Sequence, residues 1–253
     1  MRIIPKDQDS KIDVTFGTMD SQEELMSDLA KMESEIREGK FKYKSIMLDS
    51  ASYWMNIKLL GDFEDQTHDA GIFSGGKERE LVNQVRVDQP VYGALASHMN
   101  RICKAIKRIS QLGIPVVAIA QGIENPKWNR EMAVAPHFIG QKFSGDLKSH
   151  FDLIGLLVPR HDEHGNMVYP PNVKFGCTDG SFMAKYTGKQ LPSLTGPLDF
   201  SKIIPEGKGR FILIYSAEAG EGKSTSCLAT LPQPILDIYV EDRNPNTSLE
   251  ALE

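Results

Sequence analysis

Cysteine is scarce in this chain of 253 residues. The three cysteines, Cys103, Cys177 and Cys227, lie far apart and form no CxxC pair or Cys/His cluster. A disulfide framework and a structural zinc site are therefore both excluded as interpretations. We expect free thiols and a reducing, cytoplasmic location.

Long apolar runs are also lacking. No stretch approaches the roughly 20 apolar residues that a membrane span needs, and the first ten residues contain no apolar segment of a secretion signal. We expect a soluble protein with no membrane partner. The net charge of −5 argues against a nucleic-acid coat over the whole surface, although it leaves room for a local basic patch.

What the sequence does contain is a series of short apolar runs that alternate with helical patterns. This alternation predicts an α/β fold with a mainly parallel sheet flanked by crossover helices, and the length suits one well-buried domain spanning residues 1–253. The predicted strands are Ile12–Phe16, Ser45–Leu48, Pro115–Ala120, Phe211–Tyr215 and Ile235–Val240.

Two helices are marked by their ends. Ser21 is a typical N-cap with Glu24 in the capping-box position, and the apolar pattern that follows stops at Gly39. A second helical pattern runs over residues 91–112 and stops at Gly113.

The remaining segments are more polar. Gly61–Gln89 and Gly122–Gly145 are predicted to be mobile excursions, whereas Leu153–Val158 and Ser181–Tyr186 predict short antiparallel strands. Thr187–Lys208 is rich in Gly and Pro and has the character of a linker.

The clearest motif is a phosphate-binding loop between the strand at Phe211–Tyr215 and a helix start. Backbone N–H groups of small residues and the positive end of the helix would cradle phosphates. Lys223 would reach the β- and γ-phosphate oxygens, and Ser224 would supply a hydroxyl to Mg²⁺. Ala217 stands where the motif usually has its first glycine. The predicted nucleotide-binding residues are Ala217, Glu218, Ala219, Gly220, Glu221, Gly222, Lys223, Ser224 and Thr225.

The position of this loop is unusual, since only 30 residues follow Lys223. A Mg²⁺-binding carboxylate must therefore come from earlier in the chain, and Asp49 ends a predicted buried strand. Joining Glu253 to Met1 restores a conventional order of strands and helices. We therefore predict a circular permutation, with residues 187–208 as the permutation linker.

In that reconnected order the chain resembles the RecA-like ATPases, and more narrowly the stand-alone phage and archaeal ATP-binding proteins associated with single-strand annealing and recombination. The resemblance covers most of the chain. The similar segments are the phosphate loop with residues 228–241, Ile46–Ala51, Val116–Gln121 and Asp179–Lys185.

The resemblance implies a RecA-like P-loop fold that binds ATP with Mg²⁺ and hydrolyses it. It implies that Ser224 and Asp49 hold the metal, that Lys223 acts on the phosphates, and that Gln121 senses the γ-phosphate. Glu241 would orient the attacking water. The alternatives are a simple polar strand end for Gln121, and for Glu241 an exposed acidic turn or a substitute role for the neighbouring Asp242.

By the same resemblance, the loop after the Gln121 strand would contact single-stranded DNA, and a neighbouring subunit would complete the site in a homo-oligomer. Cations and aromatic residues in this loop suit phosphate contact and base stacking. The candidates for DNA contact are Lys127, Trp128, Arg130 and Lys142, accompanied by His137 and Phe138.

Three other functions also use a phosphate-binding loop. A circularly permuted GTPase needs NKxD and DxxG motifs, which the sequence lacks. A small-molecule kinase needs an arginine-bearing lid, for which only Arg79 and Arg86 are available. A nucleotide-dependent binding module with little turnover has the same loop and remains an alternative.

Overall fold

The structure is a computed structural model. It describes residues 2–4, 12–19, 21–61, 80–82, 85–87, 89–126, 129, 131–166, 168, 170–187, 195–204, 208–217 and 221–239. Within these ranges, no helix is long and apolar enough to cross a membrane, and all three cysteines are free.

The described elements alternate between strands and helices along most of the chain. The strands are β1 (Arg2–Ile4), β2 (Val14–Thr18), β3 (Ser45–Asp49), β4 (Glu80–Val82), β5 (Val85–Val87), β6 (Val116–Glu124), β7 (Val134–Pro136), β8 (Leu153–Val158), β9 (Asn172–Lys174), β10 (Lys185–Tyr186), β11 (Thr195–Pro197), β12 (Phe211–Ser216) and β13 (Ile235–Tyr239). The helices are α1 (Gln22–Arg37), α2 (Ala51–Tyr53), α3 (Gln89–Gln111), α4 (Gln141–His150), α5 (Phe200–Ile203) and α6 (Lys223–Thr230), and a π-helical turn, Trp54–Leu59, follows α2.

One large sheet organises the fold, with the strand order β1-β2-β13-β3-β6-β12-β8-β9-β11. The six strands from β2 to β8 in this order are mutually parallel, while β1, β9 and β11 pair antiparallel at the two edges. The prediction of an α/β fold with a mainly parallel sheet is confirmed. Because the six strands are parallel, their carboxyl ends meet at a single edge of the sheet.

Helices cover both faces of the sheet, as the nearly continuous apolar strands predict. Alternate residues of β12 point to opposite faces: Leu213 packs in the core cluster that contains α1, α3 and α4, and Ile214 packs in the cluster that contains α5 and α6. We call these the α3 face and the α6 face.

The two predicted helices form close to where their end signals place them. Glu24 N donates to Ser21 Oγ at 3.2 Å, which is the predicted N-cap of α1. Gly39 and Gly113 follow α1 and α3 with positive φ angles of 69° and 101°, a conformation that glycine adopts without steric cost. The end signals of both helices are thus confirmed.

The two predicted excursions contain more structure than expected. The first one includes the hairpin of β4 and β5, and α3 begins at Gln89, although residues 62–79 lie outside the described ranges. In the second, β6 continues to Glu124, β7 pairs back onto it, and α4 follows. Phe143 and Leu147, one helical turn apart, anchor α4 by burial.

Two further expectations need correction. β8 was expected to be antiparallel, but it runs parallel to β12 and pairs antiparallel only with β9 and β10. The stretch interpreted as a linker contains β11 and α5, and Leu198 and Phe200 are fully buried there. Residues 188–194 and 205–207 of that stretch are outside the described ranges.

Candidate functional site

The predicted phosphate loop lies between β12 and α6, at the carboxyl edge of the parallel strands. Gly222 adopts a left-handed conformation (φ 74°, ψ 26°) at the N-cap position of α6 and, as a glycine, contributes no side-chain cap. The first N–H groups of a helix have no partner inside the helix, and its dipole makes this end partially positive. The start of α6 is therefore suited to bind an anion.

The most informative contact of the site joins residues 175 positions apart: the Ser224 hydroxyl in the first turn of α6 donates to Asp49 Oδ2 at the end of β3. Asp49 is only 1% exposed and Ser224 only 7%. β6 lies between β3 and β12 in the sheet, so the helix start crosses one strand to reach the carboxylate. The peptide between Asp49 and Ser50 is cis.

Lys223 forms a hydrogen bond with the residue that precedes the predicted loop. Its Nζ donates to Ser216 Oγ at 2.6 Å, and Ser216 is the last residue of β12 and fully buried. Ser216 precedes Ala217, the first residue of the predicted loop. The lysine side chain thus reaches back to the end of β12, the residue before the predicted loop.

Gln121 lies in register with Ser216 on the neighbouring strand, and its side chain is exposed. Its backbone is fixed on the side away from β12: the N–H donates to Ser52 Oγ at 2.9 Å, and the carbonyl accepts from His137 N at 2.7 Å. By the alternation of side chains along β6, Gln121 points to the α6 face.

Gly122, the next residue, approaches the backbone of the loop closely. A Cβ placed there would lie 2.4 Å from the Ser216 carbonyl oxygen and 3.1 Å from Ala217 Cα. Only glycine allows β6 and the start of the loop to come this near.

The connections that leave β6 and β12 diverge at this point. The helix that follows β12, α6, packs on one face of the sheet, whereas α4, the helix that follows β6, packs on the other. In open α/β sheets, ligands bind outside the carboxyl ends of the strands where the connections part in this way. The carboxyl ends of β6 and β12, at Gln121 and Ser216, are such a place.

The buried charges near α6 are mainly negative. Asp237, in the middle of β13, is 1% exposed. Burial, together with the negative charges of Asp49 and Asp237, raises the pKa of the Cys227 thiol, and the positive charge of Lys223 opposes this effect. The thiol therefore stays protonated, and a bound cation at Asp49 would offset part of the negative charge.

The donors at Asp49 and Ser224 are those that Mg²⁺ uses. Mg²⁺ prefers oxygen ligands and is typically held by one or two protein groups together with phosphate oxygens and water. A carboxylate and a hydroxyl already in contact at an anion-binding helix start fit this chemistry. Among the described residues, no group of three or more His, Cys, Asp or Glu could hold a metal ion.

Several predicted site residues lie outside the described ranges: Glu218, Ala219, Gly220, Glu241, Lys127, Trp128 and Arg130. Lys142 is exposed in the first turn of α4. Phe138 was expected to be available for base stacking, but it is buried and packs edge-on against Phe143 with ring centroids 5.3 Å apart. This corrects the prediction for Phe138.

Lys185 has a structural contact. Its Nζ donates to the carbonyls of Lys148 and Phe151, at 2.5 and 2.7 Å. These carbonyls lie at the C-terminal end of α4, where a cation is favourable. Lys185 therefore stabilises α4 at the opposite edge of the sheet from the phosphate loop.

Sequence reasoning missed four residues of this region: Ser52, Gly122, Ser216 and Asp237. Ser216 and Gly122 directly flank predicted residues, so a closer reading of the strand ends could have found them. Ser52 and Asp237 depend on neighbours that the fold brings together, and no local signal marks either of them.

Comparison of the chain with protein-family models, with curated proteins and with solved structures gave no match.

Proposed function

We propose that this protein is a Mg²⁺-dependent ATPase with a RecA-like site assembled by circular permutation. The observation that supports it best is the hydrogen bond from Ser224 to Asp49. The two residues that would hold the metal come from distant parts of the chain and meet at a helix start, where phosphates bind favourably.

The order of elements supports the permutation. From β12 the chain runs through α6 to β13, which pairs with β2; from β2 it runs through α1 to β3, then through α3 to β6, and through α4 to β8. Read in this order, a helix links each pair of successive parallel strands except β13 and β2, between which the joined termini would lie. Met1 and Glu253 lie outside the described ranges.

In the proposed mechanism, the first turn of α6 and the loop bind the phosphates, and Lys223 moves from Ser216 to the β- and γ-phosphate oxygens. Asp49 and Ser224 would hold Mg²⁺. Bound Mg²⁺ would neutralise charge on the phosphate oxygens.

Glu241 would orient and deprotonate the attacking water, and Gln121 would hydrogen-bond to the γ-phosphate. Glu241 follows Tyr239 by two residues, and Tyr239 is the register partner of Asp49. β13 therefore ends at the carboxyl edge of the sheet, two residues before Glu241 in the sequence. Its role rests on this placement in the chain and on its carboxylate chemistry.

We further propose a cytoplasmic protein whose partner is single-stranded DNA, and a homo-oligomer in which a neighbour completes the site. The exposed Lys142 supports a contact with phosphates, since it is on the surface in the first turn of α4. Salt-dependent binding of a fluorescent oligonucleotide, weakened in Lys142→Ala, tests this part.

The central experiment measures ATP and GTP turnover with Mg²⁺, with and without single-stranded DNA, and the mass of the protein in solution. Lys223→Ala should abolish hydrolysis and weaken nucleotide binding sharply. The matched control is Lys202→Ala, which removes an exposed lysine that pairs with Asp199 on α5 and should leave turnover unchanged. Turnover of Lys223→Ala near that of the wild type would refute the proposed function.

A second pair of variants tests the water-activating residue. Glu241→Gln should bind ATP normally and hydrolyse it slowly, whereas Asp242→Asn should hydrolyse it at the wild-type rate. If the two results are reversed, Asp242 has the role proposed for Glu241. A wild-type protein that binds ATP tightly but does not hydrolyse it under any of these conditions is a nucleotide-dependent binding module.

A further inference from the structure

The junction between β3 and β6 differs from the rest of the parallel sheet. The two strands pair only from Ile46 to Leu48, opposite Val116 to Ala118. β6 continues beyond this point and stays paired with β12 as far as Gln121. On the β3 side, the backbone of Gln121 therefore needs partners from outside the strand ladder.

Ser52 supplies one of these partners. Its Oγ accepts the Gln121 N–H at 2.9 Å and lies 3.1 Å from Ser50 Oγ. Ser50 in turn caps α2 by accepting from Tyr53 N. Ser50 and Ser52 are only 4% and 3% exposed, so water does not readily replace the bond to Gln121.

The same chain segment also holds the second partner of Gln121. The π-helical turn places Asn56 one turn beyond Ser52, and Asn56 Nδ2 donates to the carbonyl of His137 at 3.1 Å. Asn56 Oδ1 accepts from Ile139 N at 3.0 Å. His137 N donates to the Gln121 carbonyl. Residues 52–56 therefore hold both backbone groups of Gln121: Ser52 binds the N–H directly, and Asn56 holds His137, which binds the carbonyl.

We propose that Ser52 is a positioning residue for ATP hydrolysis, which sets the place of Gln121 relative to Asp49. This inference rests on the proposed function. Asp49 and Ser52 are three residues apart on one buried segment, and the Ser52 side chain links this segment by a hydrogen bond to β6, the strand that contains Gln121. The metal-binding carboxylate and the γ-phosphate-sensing amide are thereby held at a fixed separation.

Such positioning matters for turnover more than for binding. Gln121 would contact only the γ-phosphate, whereas the loop, Lys223 and Ser224 would bind the rest of the triphosphate. Loosening the backbone of Gln121 would therefore misplace a group that acts in the chemical step, and small misplacements of such groups cost rate. The affinity for ATP would change little.

The test compares Ser52→Ala with Ser52→Thr, which keeps the hydroxyl, and with Ser110→Ala as a matched control. Ser110 is also 3% exposed and also makes a 2.9 Å hydrogen bond, but to Lys107 O in α3. Ser52→Ala should lower kcat about tenfold with the KM for ATP changed less than about twofold. Ser110→Ala should keep the wild-type kcat, and Ser52→Thr should restore most of it.

A double variant shows whether Ser52 acts through Gln121. In a Gln121→Ala background, Ser52→Ala should have almost no further effect on kcat, because the positioned side chain is already gone. A further tenfold decrease in kcat in the Gln121→Ala background would overturn the proposal. A raised KM with unchanged kcat in the Ser52→Ala single variant would overturn it as well. This comparison holds even if Ser52→Thr is too large for its buried site and fails to fold.

Amide hydrogen exchange separates this inference from the proposed function. The amide of Gln121 should exchange faster in Ser52→Ala than in the wild type, whereas exchange at Val116–Ala118 should not change. Unchanged exchange at Gln121 would overturn the positioning role even in an active enzyme. A wild-type protein without turnover would refute the proposed function and the catalytic effect of Ser52 with it, while exchange would still decide whether Ser52 holds Gln121.

Discussion

Replacing Gly122 by alanine should impair the site by displacing the start of the phosphate loop. The new methyl group would lie 2.4 Å from the Ser216 carbonyl oxygen, about 1 Å closer than ordinary van der Waals contact. Both partners are backbone at the edge of the central sheet, so neither can rotate away. Overpacking of this kind costs about 1–3 kcal/mol of folding free energy. A misplacement of about 1 Å at a catalytic centre can lower the rate by roughly 100-fold.

The measurements are ATP turnover at saturating substrate and the Tm of the purified variant. We expect kcat to fall by about 100-fold and Tm to fall by about 2–4 °C for each kcal/mol of lost stability. Gly93→Ala is the matched control, because Gly93 is exposed in α3 and a Cβ there meets nothing within 4 Å. Wild-type turnover and Tm in Gly122→Ala would refute the close approach of β6 and the loop.

Two further predictions concern titration and thiol chemistry. Burial lowers the pKa of three histidines from their usual 6.5, namely His98, His137 and His150. The histidines bind protons at higher pH in the unfolded chain than in the folded protein, so the stability of the fold should decrease as pH drops below about 6.5. A Tm that stays constant or rises from pH 7 to 5.5 would contradict this prediction. A maleimide at pH 7.5 should modify Cys177 alone in the native protein, because burial raises the pKa of Cys103 to about 12 and also raises that of Cys227. Mass spectrometry of the labelled peptides checks this prediction. Labelling of Cys227 in the native protein would show that α6 opens.

The parts of the fold that could be predicted from sequence are those with strong local signals. β3, β12 and β13 are buried on both faces and appear as nearly continuous apolar runs, and α1 has an N-cap and a glycine stop. β7, β9 and β11 have only three residues each. Such short strands form because a longer neighbour pairs with them, which no local pattern shows.

The residues of the candidate site likewise fall into those with a local sequence signal and those without one. The loop and Asp49 were predicted because phosphate binding and metal binding demand particular residue types in a particular context. Ser52 and Asp237 could not be predicted, because their importance comes from neighbours that are distant in the chain and that only the fold brings close. Phe138 was misjudged because its burial depends on Phe143, in a helix that the sequence pattern did not reveal.

The strand order has a consequence for how the molecule folds. Without β12 and β13, the sheet falls into three unconnected pieces: β1 with β2, β3 with β6, and β8 with β9 and β11. The two strands that join these pieces come after the other described strands in the chain, so the earlier strands leave the ribosome with open edges that can mispair. In the chain, these late strands also flank the predicted phosphate loop and α6. A ligand held there would stabilise the segment that completes the sheet, and would thereby favour the fully assembled chain over its incomplete forms.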